Sequence, residues 1–131
     1  NKVLEAAAGS DVQLYVSTFY QEGGSPEFDD GIKAWLNEDS TAMTNNGGND
    51  TIAAVTAMGY DAYYVALEAL KAAGSTDAGA VKAALPGVTY TGVTGVIAFD
   101  DIGDAIRDTA YIKVADTANS AWALETMQKA G

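Results

Sequence analysis

The stretch Thr51 to Ala73, TIAAVTAMGYDAYYVALEALKAA, constrains the fold more than any other part of this sequence. It is rich in alanine and leucine, lacks proline and runs straight into Gly74, so it predicts one long helix with a glycine stop. Ile52, Val55, Met58, Tyr63, Leu67 and Leu70 return to one side and form the expected buried stripe. Gly59 costs about 1 kcal/mol relative to alanine inside a helix. A glycine kept there suggests close approach by another element.

The flanking segments are shorter. DVQLYVST (Asp11 to Thr18) alternates Val12, Leu14 and Val16 with Gln13, Tyr15 and Ser17, the period of a strand. Ser25 followed by Pro26 reads as a helix start, with Phe28, Ile32, Trp35 and Leu36 on one face and an end near Asn37 to Asp39. STAMTNNGGND is expected to be a polar loop whose Asp50 caps the long helix. STDAGAVKAAL predicts a second short helix capped by Thr76 and stopped by Pro86. TGVTGVIAF and DTAYIKVA read as two strands joined into a hairpin, and SAWALET as a third strand. The predicted order is one N-terminal strand, three helices, then a C-terminal β-meander. A front strand that has to pair in parallel finds no partner within easy reach, so the chain is expected to be part of something larger.

Composition narrows the function. Seven basic against eighteen acidic residues give a formal charge of −11, which repels phosphate backbones and anionic membranes. Nucleic acid is therefore not an expected partner. The 48% hydrophobic content is enough for a packed core, and no apolar run approaches the roughly 20 residues of a membrane span. No signal-like succession opens the chain. With no cysteine there is no disulfide or thiolate chemistry, and with no histidine the side chain best suited to proton transfer near neutrality is missing. No cofactor or metal site is expected, and the enzyme class is disfavoured.

Taken together, LYVSTFY on a strand, GYDAYYVALEALKAAGSTDAGAVKAAL as a helix pair and YTGVTGVIAFDDIGDAIRDTAYIKV as a hairpin resemble the C-terminal part of the solute-binding proteins of branched-chain amino acid ABC transporters. The resemblance runs from Val12 to about Val114 and rests on the order and spacing of the pieces. It implies an α/β fragment of a two-lobed, type I periplasmic binding fold, in which hinge closure traps a solute between the lobes. It further implies that residues 1–131 are one fragment contributing to both lobes, without an independent second domain. The implied partners are an amino acid, branched-chain or similar, and ABC permease subunits, in a periplasmic or extracellular, cell-surface setting. Family members are much longer, so the chain is expected to be truncated and to lack a complete ligand site. Open sheet edges and uncovered apolar faces then favour a homodimer or segment-exchanged assembly.

The resemblance places Tyr60, in MGYDA, at a position that often carries an aromatic ring facing the ligand cleft; the alternative is an aromatic partly buried along a helix, the reading preferred for Tyr63 and Tyr64. Phe19 and Tyr20, just past the first strand, are candidate borders of the cleft at the hinge. Asp61 receives no assignment. Its carboxylate suits an ammonium group or a helix N-terminus, and an interior helical position weakens the second role.

GVTGVIAFDDIGDAIRD (Gly92 to Asp108) concentrates aspartate and glycine. An EF-hand starting at Asp100 fails, because Ile102 occupies its third position and glycine is misplaced. Asp100 and Asp101 point apart if extended, which does not suit a catalytic carboxylate pair, so a tight hairpin turn is the expected role. The Asn49 sequon carries no weight. Glu22, Glu27, Asp29 and Asp30 read as a solvated face near a helix start. Three rival functions follow: a ligand-sensing domain of the same fold, a carboxylate-based hydrolase and a self-assembling surface module.

Overall fold

A computed structural model describes residues 2–129. Helix α1 (Lys2–Ala7) precedes strand β1 (Tyr15–Thr18), and helices α2 (Pro26–Glu38), α3 (Ser40–Asn45), α4 (Ala54–Ala73) and α5 (Ala78–Ala84) follow. After a single 3-10 turn at Leu85–Gly87 come β2 (Tyr90–Gly92), β3 (Gly95–Phe99), β4 (Ala105–Ile106), β5 (Thr109–Asp116) and β6 (Ala121–Lys129). This is the mixed α/β class expected of a piece of a type I periplasmic binding fold. The chain divides into two compact units, one made of residues 22–107 and the other of the segments on either side.

In the first unit, α4 supplies the floor. Val65 and Ala69 pack with Val88 and Ile97, and Val81, Leu85, Tyr90 and Phe99 close around them. β2, β3 and β4 form an antiparallel sheet in that order. Gly74 ends α4 in the left-handed conformation at φ +59°, donating its N–H to the carbonyls of Leu70 and Lys71, the role its position predicts. Asp39 ends α2 and starts α3, its Oδ1 accepting the N–H groups of Thr41 at 2.8 Å and Ala42 at 3.0 Å. In the second unit β5 is central, with β1 and β6 antiparallel on either side. α1 lies against β5 and buries Leu4.

The structure corrects several sequence expectations. β1 covers only Tyr15–Thr18 and pairs antiparallel with β5, Tyr15 opposite Val114, so it needs no parallel partner. α1 had no sequence counterpart, and the polar stretch after α2 begins with α3 because Asp39 caps it. Asp77, not Thr76, caps α5 by accepting the Ala80 N–H at 2.9 Å. α4 starts after Ala53 without a side-chain cap, while Asp50 accepts a hydrogen bond from Asn37.

TGVTGVIAF is a hairpin in itself, folded about Val93 and Thr94, with Gly92 opposite Gly95. Nor do the strands flanking Asp100 to Asp108 pair with each other. The Asp100 carboxylate accepts the N–H groups of Ile102 and Asp104, Gly103 sits at φ +93°, and the chain turns back so soon that β4 pairs with β3. The turn reading of these aspartates stands, with different strands joined.

The buried stripe of α4 also differs. It runs through Ala57, Asp61, Val65 and Ala69, whereas Val55 and Tyr63 are exposed. The stripe keeps strict four-residue spacing, and its Asp61, Val65 and Ala69 meet the β2–β3 hairpin or pack with Ile97 of β3. A Cβ at Gly59 would meet no atom within 4 Å, so no close approach explains that glycine.

Candidate functional site

Asp61 sits in the middle of the small-residue stripe and is fully buried. A buried carboxylate is tolerated only when its oxygens are hydrogen-bonded, and the Val93–Thr94 loop supplies the donors. The Val93 N–H donates to Oδ1 at 2.9 Å, the Thr94 N–H to Oδ2 at 2.8 Å and the Thr94 hydroxyl to Oδ2 at 2.6 Å. Two successive loop N–H groups converging on one anion form a nest, here filled by the protein's own side chain. Arg107 completes the arrangement, its Nη1 donating to the Thr94 carbonyl at 3.1 Å and to Thr94 Oγ1 at 2.8 Å. The Thr94 hydroxyl thus accepts from a guanidinium and donates to a carboxylate. Gly92 lies over this carboxylate so closely that an added Cβ would overlap it.

The hairpin so fixed forms one wall of a cavity of about 510 Å³, within the range typical of small-molecule sites. Tyr90, Thr91, Gly92 and Val93 line it from β2 and the turn, Glu27, Phe28 and Ile32 from α2, and Tyr60 from α4. Phe28 and Tyr60 are in ring contact, centroids 5.0 Å apart at 58°. Tyr64 lies behind, 4.9 Å from Tyr60 and stacked on Tyr90 at 6.0 Å. The Tyr60 hydroxyl donates to that of Tyr64 at 3.4 Å. This bond, together with burial and nearby negative charge including Glu27, pushes the Tyr60 phenol up to about 12. Tyr90 is also raised, first by burial and then by the Asp61 charge. Lys33 holds Glu22 at 3.0 Å, and Glu22 also accepts the Ile52 N–H at 2.6 Å, tying α2 to the segment entering α4.

Of the residues singled out from sequence, Tyr60 lines this cavity. Phe19 and Tyr20 belong to the other unit, and neither is among the lining residues; Tyr20 is buried, Phe19 39% exposed. Sequence reasoning missed Tyr90, Phe28 as a cavity residue, and above all the place of Asp61. The available signal was an acidic residue four positions from two alanine or valine neighbours on the buried face. Among the described residues, no group of three or more His, Cys, Asp or Glu is placed to hold a metal ion, and no helix is long and apolar enough to cross a membrane.

No protein-family model and no curated protein matches this sequence. A solved structure does: the crystal structure of a leucine-binding protein from Thermotoga maritima matches with a TM-score of 0.68 and 24% sequence identity. The match covers 98% of this chain and 34% of that one, so the chain spans about a third of the length of the protein it is similar to. At this identity the likeness shows the fold, that of one part of a type I periplasmic binding protein.

Two outcomes follow from the geometry. Asp61→Asn puts an amide donor against loop N–H donors and is expected to lower the unfolding free energy by roughly 3 kcal/mol. Gly92→Ala, which forces the carboxylate to move, is expected to destabilise as well. Urea denaturation checks both, and an Asp61→Asn variant as stable as the parent contradicts the described role.

The second outcome concerns pH. A phenol whose pKa is raised in the folded state contributes stability that is complete below about 10 and is lost as pH rises toward about 12. The raised Tyr90 and Lys33 act in the same direction. Denaturation midpoints should therefore fall between pH 10 and 12, and Tyr64→Phe should bring the Tyr60 titration, followed by NMR, down toward 10.

Proposed function

We propose that this chain is part of an extracytoplasmic solute-binding protein that captures an amino acid, branched-chain or similar, and delivers it to ABC permease subunits. One observation carries the reading: nearly the whole chain matches a third of a leucine-binding protein, which is the relation of a piece to a larger fold. The aromatic-walled cavity supports it, because such proteins hold their solute through a few side chains on rigid elements. In this reading the two compact units belong to different lobes, the ligand site is split between this chain and the remainder of the larger fold, and no chemistry is performed on the solute. Tyr60 contributes a wall of the site. Phe19 and Tyr20 are carried forward as candidate ligand contacts of the larger protein. β6 is an edge strand, mostly exposed along its length, which favours pairing of the isolated chain with a second copy.

The test is isothermal titration of the twenty amino acids into this chain and into the longer polypeptide that carries it. The reading expects binding at about micromolar affinity, near −8 kcal/mol, by the longer protein for one or a few amino acids and none of that strength by the chain alone. No amino acid bound by the longer protein, or equal affinity in the two, overturns it.

A further inference from the structure

The cavity has a chemical bias of its own. Phe28, Tyr60 and Tyr90 supply its aromatic lining, and Glu27 is the one carboxylate on it; neither lysine nor arginine is among the lining residues. Glu27 and Asp29 stand in the first turn of α2 and oppose the positive end of that helix. Asp29 is itself engaged with the Gly23 N–H at 2.7 Å. Negative charge acts on two lining phenols: Glu27 is among the groups that raise Tyr60, and Asp61 and Glu68 among those that raise Tyr90. With the chain's formal charge of −11, the site repels anions and draws cations. Aromatic faces bind an organic cation through the ring quadrupole, and a neighbouring carboxylate adds Coulomb attraction.

We infer that this cavity receives the ammonium head of a small organic cation, held against Phe28, Tyr60 and Tyr90 with Glu27 as the counter-charge. This rests on reading the cavity as a solute site and narrows what enters it, independently of transport. Every lining residue lies within residues 22–107, so the cation subsite is present in this chain without the remainder of a larger fold.

The experiment titrates choline, and separately its neutral isostere 3,3-dimethylbutan-1-ol, into this chain labelled for NMR of the aromatic rings. Choline is expected to give saturable shifts at Phe28, Tyr60 and Tyr90, and the isostere to bind at least about fivefold more weakly. Glu27→Gln should weaken choline binding roughly two- to fivefold. Tyr60→Phe, which keeps the ring, should retain binding, and Tyr60→Leu should lose it. Equal binding of choline and the isostere, saturation at other residues, or no saturable shift overturns the inference. Should Tyr60→Leu fail to fold, the isostere comparison and Glu27→Gln still decide. Amino acid binding by the longer protein, without discrimination between choline and its isostere here, removes the cation subsite and leaves the solute-binding reading. The converse pair of results does the opposite.

Discussion

A carboxylate taken out of water must find donors, and this single requirement organises residues 22–107. Asp61 finds three, all from the two-residue loop between β2 and β3. The loop in turn has two N–H groups that a short hairpin cannot satisfy within its own ladder. Each side solves the other's problem, so the hairpin has one position on α4. Gly92 is required because the carboxylate occupies the space a side chain would take, and Arg107 holds Thr94 from the far side of the turn.

From that latch the cavity follows. Docking the hairpin on α4 puts Tyr90 over Tyr64, and Tyr64 receives the Tyr60 hydroxyl, which sets the Tyr60 ring against Phe28 of α2. α2 is held separately, through Lys33 to Glu22 and from Glu22 to the Ile52 backbone. The cavity walls are thus side chains on regular elements, braced by hydrogen bonds behind them, the arrangement a selective binding site needs.

Much of this fold was legible in the sequence where the signal was local. Pro26, Gly74 and the alternation around Val16 mark element ends and types through backbone restriction alone, and α2, α4 and β1 lie near where they predict. The aspartates after Phe99 behave as turn residues for the same reason. What sequence did not carry was pairing at a distance. β1 finds β5 across most of the chain, and no periodicity encodes that. Residue size does not mark the α4 stripe, since Ala57, Asp61, Val65 and Ala69 are buried while Val55 and Tyr63 stay exposed. Tyr60 stood out in the sequence as an aromatic candidate and lines the cavity; the place of Asp61, one position away, was not legible, because its role depends on two N–H groups more than thirty residues later.

The Asp61 carboxylate fixes the Val93–Thr94 loop in place. Amide hydrogen exchange at those two residues tests it most directly, because a solvent-facing hairpin loop ordinarily exchanges fast. The Val93 and Thr94 amides should be protected to the same degree as those of Val65 and Ala69 in the core of α4. Exchange of both at the rate of an open loop, with α4 still protected, would contradict it.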